Sequence, residues 1–211
     1  MEYLTLMAIW GLWCSLHSGL ISTRATKFFK RALKDNYRYF RLAYNGFALV
    51  SLIPVLAVSQ RMKGDIIFSW DSFFLFPWLL LWALVLFLLI QGCRAYDMGQ
   101  FSGIRQATAD PPDSPDRSAE HLSTRGILGI TRHPWYLAAL VFFWIRGREL
   151  HLSMAVENLV LCLYLYIGIR LEERKLIRLH GDKYLNYRKK VSALIPFKWI
   201  LSLFPPTKKT G

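Results

Sequence analysis

Apolar residues gather into long blocks separated by short charged stretches. Residues 3–22, 42–59 and 73–90 contain no Asp, Glu, Lys or Arg. Each block is close to the ~17 to 25 residues a helix needs to cross a hydrocarbon core. A fourth block, 126–145, carries Arg132, His133 and Pro134 inside it, and a fifth covers 152–169. The pattern predicts an all-α, polytopic membrane protein with about five transmembrane helices and a cytoplasmic C-terminal helical segment. The first block starts at Glu2 instead of a basic segment and has no clear small-residue cleavage site, so it reads as a retained helix and not a secretory leader.

The fourth block is irregular in an informative way. Proline suits the first turn of a helix, where its missing N–H does no harm, so the helix is predicted over 134–145. At 1.5 Å per residue it reaches about 18 Å, short of the ~30 Å core. Either this helix stops partway through, or residues 126–133 enter the membrane as irregular backbone, which is tolerated at that depth only where protein or a water-filled cavity surrounds it. Arg132 and His133 lie in that stretch, and ionisable residues at such depth are candidates for function. After the fifth block, residues 172–190 are too charged for lipid. Leu176, Leu179, Tyr184 and Tyr187 nevertheless give them a partly apolar face, so they read as surface helix broken near Gly181. Apolar character returns at 194–197 and 199–204, an interfacial tail over 198–211 with Trp199 as anchor.

Composition agrees with the blocks: 54% of the 211 residues are hydrophobic. The formal net charge of +13 would suggest nucleic acid in a soluble protein. Here 23 of the 27 Lys and Arg residues fall in the loop 24–41, the loop 94–132 and the segment from 170 onward, and only Arg61, Lys63, Arg146 and Arg148 fall in the other two loops. That is a positive-inside pattern with the N-terminus outside and the C-terminus cytoplasmic, in the inner membrane if the source is bacterial. The basic residues thus find membrane lipid head groups as partners, and nucleic acid is excluded. Cys14, Cys93 and Cys162 are too widely spaced for a metal or disulfide framework, so no metal is expected. The whole chain, 1–211, reads as one membrane domain: three spans over 1–95, a cytoplasmic loop over 96–125, and the remaining spans and surface helix over 126–197. The Pro-, Asp- and Ser-rich stretch 107–120 is either a flap over a site or a simple connector.

The short link between the fourth and fifth helices makes them an antiparallel hairpin, which brings residues 131–136 and 172–187 to one level. The runs Arg132-His133-Pro134-Trp135-Tyr136, Glu172-Glu173-Arg174-Lys175-Leu176, His180-Gly181-Asp182-Lys183-Tyr184-Leu185-Asn186-Tyr187 and Leu194-Ile195-Pro196-Phe197 follow in this order. Together they resemble the C-terminal signature of the isoprenylcysteine carboxyl methyltransferase and phospholipid methyltransferase superfamily. Leu16-His17-Ser18 and Phe101-Ser102-Gly103-Ile104-Arg105-Gln106 are similar, more loosely, to its methanethiol S-methyltransferase and NnrU-like branches. Ala138 and His180 depart from the family's usual Gly and Phe or Leu.

The resemblance implies an integral membrane methyltransferase that uses S-adenosylmethionine, with 126–197 as the cofactor-binding signature region. Its acceptor would be a small thiol, a prenyl-cysteine carboxylate or a lipid-like compound at the cytoplasmic face. It further implies a catalytic set of Arg132, Glu172 and Glu173, and cofactor contacts from His133, Pro134, Tyr136, Tyr184, Tyr187, Leu194, Ile195 and Pro196. The residue chemistry is compatible. The helix start at Pro134 and Arg132 suit a carboxylate, and Glu172 or Glu173 suits the ammonium or a cation of the acceptor. The tyrosines offer faces to cationic groups or adenine, and residues 194–196 offer an apolar wall. Gly168 and Tyr164 share a helix face with Glu172, which favours Glu172 as the inward carboxylate. The alternative is a non-enzymatic NnrU-like membrane protein with a transport or assembly role in nitrogen-oxide metabolism.

Overall fold

A computed structural model describes residues 1–108 and 122–204. Most of the stretch 107–120 and the end of the tail, 205–211, lie outside the described residues. The elements are α1 (Glu2–Leu20), α2 (Thr23–Leu33), a 3-10 turn (Lys34–Tyr39), α3 (Phe40–Arg61), β1 (Ile66–Ser69) and α4 (Leu75–Ala95). Two short helices follow, α5 (Met98–Ser102) and α6 (Ile104–Thr108), then a 3-10 turn (Gly126–Gly129), α7 (Pro134–Ile145), β2 (Glu149–His151), α8 (Leu152–His180), α9 (Asp182–Lys190) and α10 (Phe197–Leu203). Three helical stretches are long and apolar enough to cross a membrane: Thr23–Arg61, Leu75–Ala95 and Leu152–His180. The chain is therefore a mostly helical membrane protein, with three stretches of that kind among the described residues where the sequence led to an expectation of about five spans. The helix α7 is a shorter apolar helix, and α1 carries two tryptophans and His17 along its length.

The described residues divide into two compact units. The first takes in residues 1–75, 97–108 and 146–164. Leu6, Trp10 and Cys14 form the buried stripe of α1 at four-residue spacing. Polar pairs fix it against α3: Trp10 Nε1 donates to Ser59 Oγ at 3.0 Å and Trp13 Nε1 to Ser51 Oγ at 3.1 Å, cross-helix bonds of the sort that hold spans together in lipid. The Tyr44 hydroxyl lies 2.9 Å from His17 Nε2, and Ser18 bonds the Tyr164 hydroxyl at 2.9 Å, so both residues singled out at the end of the first block have hydrogen-bond partners. Asn45 donates to the Ser102 carbonyl at 2.9 Å. Gly103 lets that turn approach: its φ is +91° and a Cβ there would sit 2.7 Å from the Leu42 nitrogen. β1 and β2 pair antiparallel, Ser69 opposite Glu149 and Ile66 opposite His151, so the all-α expectation needs a two-stranded sheet added between the helices. Glu157 of α8 is buried and pairs with Arg146, which follows α7 directly.

The second unit takes in residues 76–96, 122–145 and 165–204. α7 starts at Pro134 and ends at Ile145, as the sequence predicts. It packs closely on α4: a Cβ on Gly92 would lie 2.0 Å from Trp135 Nε1. Trp78 Nε1 donates to the Ile145 carbonyl at 2.9 Å. The irregular stretch before α7 is enclosed by protein: Ile127, Leu128, Thr131, Arg132 and His133 are all buried. Its backbone groups are satisfied by chain from 60 residues away, with Thr131 bridging Ser192 in parallel, Arg132 N donating to Ser192 O at 3.0 Å and His133 N to Ala193 O at 3.1 Å. Gly181, at φ +53°, breaks α8 from α9 at the expected place.

Candidate active site

Glu173 is the centre of the second unit's polar interior. It projects from α8 at 5% exposure, where an unpaired carboxylate would be costly. Arg132 meets it with a two-pronged contact, Nε at 2.9 Å and Nη2 on the same oxygen. Arg188 Nε lies 3.3 Å from the other oxygen. The Tyr184 hydroxyl donates at 3.4 Å, and His133 Nε2 is 3.4 Å away. The remaining arm of Arg132, Nη1, donates to the Val191 carbonyl and, at 3.4 Å, to the Arg188 carbonyl. A planar guanidinium with five donors suits such a place, since it can hold a carboxylate and the backbone together. One ion pair thereby joins the entry to α7, the cytoplasm-predicted half of α8, the end of α9 and the strand-like segment 191–193.

Tyr184, Tyr187 and Val191 form the hydrophobic cluster beneath this pair, with Leu122, Leu176 and Ile177 packed on it. The Tyr187 hydroxyl donates to the Leu128 carbonyl. Burial pushes the Tyr184 hydroxyl pKa well up and that of Tyr187 up to about 12, with the Glu173 charge adding to the rise in each. Both hydroxyls therefore stay protonated and serve as donors. Glu172, one position round the helix, is different: its side chain is 38% exposed and Oε2 stands 3.7 Å from His133 Nδ1. The His133 ring, 2% exposed, lies between the two carboxylates and edge-on to Tyr136.

Beside the ion pair opens a cavity of about 940 Å³, at the upper end of the range of small-molecule sites. Arg132 lines it together with Asp182 and Asn186, four apart on α9, the apolar Leu194, Ile195 and Phe197, and the basic Lys189 and Lys198. Lys198 Nζ donates to the Arg188 and Lys189 carbonyls at 2.7 and 3.0 Å, capping the end of α9. Among the described residues no cluster of His, Cys, Asp and Glu is placed to hold a metal ion.

Several known proteins share sequence with this chain. A methanethiol S-methyltransferase of Crocosphaera subtropica is 40% identical over 70 residues, 31% of this chain and 26% of that protein. A protein-S-isoprenylcysteine O-methyltransferase of Saccharomyces cerevisiae is 31% identical over 118 residues, 51% of this chain and 48% of that protein. Methanethiol S-methyltransferase 2 of Bradyrhizobium diazoefficiens is 30% identical over 154 residues, 71% of this chain and 58% of that protein. These matches support the isoprenylcysteine carboxyl methyltransferase-like superfamily for this chain. The matched stretch spans about a quarter of the length of the methanethiol S-methyltransferases of C. subtropica and Pseudomonas deceptionensis, 26% and 25%. No family model matches the chain, and no solved structure does.

The superfamily signature in this chain is distributed over distinct places. Arg132, Leu194 and Ile195 line the cavity. Pro134 and Tyr136 begin α7, with Tyr136 set against Gly168 of α8. Pro196 precedes α10. Tyr184 and Tyr187 are buried, 1% and 8% exposed, and pack with Val191. Glu173, not Glu172, is the carboxylate buried in the unit. Arg188, Asp182, Asn186, Phe197 and Lys198 were not singled out by the sequence. Arg188 had a signal in its spacing, four residues after Tyr184, but it sits in a basic run that also reads as topology charge.

Proposed function

We propose that this protein is an integral membrane methyltransferase that binds S-adenosylmethionine in the cavity beside Arg132, with the site at the cytoplasmic face. The observation that supports this most directly is the lining of that cavity, which offers basic, polar and apolar side chains to a ligand with charged, polar and flat apolar parts. Lys189 and the third N–H of Lys198 would hold the carboxylate. Asp182 and Asn186 would bond ribose hydroxyls, and Leu194, Ile195 and Phe197 would offer the adenine an apolar wall. When bound, S-adenosylmethionine supplies a methyl group on a sulfonium, which passes to the nucleophile of the acceptor and leaves a thioether.

Arg132 acts differently from the role its motif implies. Four of its five donors go to Glu173 and to backbone carbonyls, so it would keep the 191–193 segment in place. Glu173 and His133 support it from behind. Glu172 retains free acceptor capacity and is the carboxylate available to an ammonium or to a proton of the acceptor. Such a site contributes by aligning two reactants and excluding water. The relatives' names divide the acceptor between methanethiol and isoprenylcysteine, and a small thiol, a prenyl-cysteine carboxylate or a lipid-like acceptor fits a site of this kind. The basic loops and the C-terminal segment carry most of the positive charge, which supports the cytoplasmic placement.

Titration calorimetry of the purified protein with S-adenosylhomocysteine tests the reading. Binding is expected, weakened at least about tenfold in the double variant Asp182→Ala, Asn186→Ala, the loss of about 1.4 kcal/mol of polar contact. No binding at millimolar ligand sinks the proposal.

A further inference from the structure

The helix α10 carries more exposed apolar surface than a seven-residue element can leave in water. Phe197, Ile200, Leu201 and Leu203 are all exposed, Leu201 at 69%, and Phe204 just beyond is at 76%. Ser202, the only polar residue of the last turn, returns its hydroxyl to the Trp199 carbonyl, so the face asks for no polar partner. Seven residues span about 10 Å, far too little to cross a bilayer. A contiguous apolar patch of this kind marks an interaction surface, and its surroundings indicate which one. Lys183 and Lys190 are exposed on the preceding helix, a basic end next to an apolar one, which is the chemistry of a helix lying in an anionic membrane interface.

This helix is also mechanically part of the cavity. Phe197 and Lys198 belong to α10 and line the cavity at once. Lys198 Nζ clamps the last carbonyls of α9, and Lys198 N is bonded to Ser192 Oγ at 3.2 Å. We propose that α10 is seated in the membrane interface, its apolar side chains among acyl chains and the neighbouring lysines on acidic phospholipid head groups, and that this seating orders the 192–198 wall of the cavity. The inference rests on the functional reading only for what fills the cavity. Lipid composition then becomes a regulator of the site: a bilayer rich in acidic lipid holds the wall, and a neutral one loosens it.

The test uses the full chain in nanodiscs of phosphatidylcholine alone or with about a third phosphatidylglycerol. Two readouts are needed, neither of which requires the cofactor. Quenching of Trp199 by brominated acyl chains is taken as the difference between wild type and Trp199→Phe. Backbone hydrogen exchange is followed across residues 192–198. The expected result is a quenched Trp199 and exchange slowed about fivefold by acidic lipid, as the ~1 kcal/mol of one lysine at an anionic surface converts. The slowing should vanish in Ile200→Lys, Leu201→Lys. An unquenched Trp199 overturns the seating, as does protection that rises with protein concentration, which would mean that a second copy covers the helix. Quenching with exchange indifferent to acidic lipid overturns the coupling to the cavity. Absence of S-adenosylhomocysteine binding under all conditions would instead count against the functional reading and leave both readouts decisive.

Discussion

Each of the two units buries one arginine–glutamate pair, and the pairs are built to opposite standards. In the second unit Glu173 receives Arg132 twice, Arg188, Tyr184 and the edge of His133. In the first, Arg146 meets Glu157 through one nitrogen, while Arg146 Nε, Glu157 Oε1 and both polar atoms of Asn158 find no hydrogen-bond partner among the described residues. A buried ion pair compensates its desolvation only when the remaining donors and acceptors are used as well. The first unit's pair is thus a local clamp at the start of the β2–α8 turn. The second unit's pair is a junction through which three helices and a loop depend on one carboxylate.

That contrast can be broken by substitution. The largest effect is expected for Glu173→Ala, which strands Arg132 inside the protein and should cost about 3 to 5 kcal/mol in a detergent unfolding experiment. Arg132→Lys keeps the charge but not the fork, and about 2 to 3 kcal/mol is expected, since a lysine cannot reach both the carboxylate and the Val191 carbonyl. Gly92→Val tests packing in the same unit without touching the pair: the new side chain must displace the Trp135 ring, at about 1 to 3 kcal/mol in thermal stability. Glu157→Gln should cost only about 1 kcal/mol, because the amide still accepts from Arg146 and can use acceptors already left over. Equal losses for Glu157→Gln and Glu173→Gln, measured side by side, would show that saturation does not set the difference. Tyr187→Phe, the mildest, removes one hydroxyl bond and should lower stability by about 1 kcal/mol while leaving cofactor affinity in place.

The sequence made the secondary structure of the second unit legible where proline and glycine punctuate it. Pro134 opens α7, Gly181 closes α8, and of the two options left by the length deficit of α7, a helix that stops partway or irregular backbone before it, the structure contains enclosed irregular backbone. Side-chain assignments along α8 and α9 were harder. Gly168 and Tyr164 pointed to Glu172, yet the stripe Ile169, Glu173, Ile177 is equally well spaced and is the one turned inward. Two stripes one position apart cannot be ranked by periodicity alone, because what decides between them is Arg132, 41 residues away. Tyr184, Tyr187 and Val191 follow the three-and-four spacing of a buried helix face. Their aromatic chemistry suggested a ligand contact; their spacing already suggested the interior. The pairing of β1 with β2 and of Thr131 with Ser192 joins residues more than 60 apart in the first element or loop to short segments with no alternating pattern, so neither left a local trace.

The Thr131–Ser192 bridge has a consequence in the order of synthesis. When α7 leaves the ribosome, the amides of Arg132 and His133 have no acceptors, because Ser192 and Ala193 are still to be made. Until then the second unit is a set of apolar helices with an unanchored arginine at its edge. Residues 192 and 193 complete it, so a nascent chain stopped before residue 193 can reside in a membrane while the wall of the cavity has yet to acquire its shape.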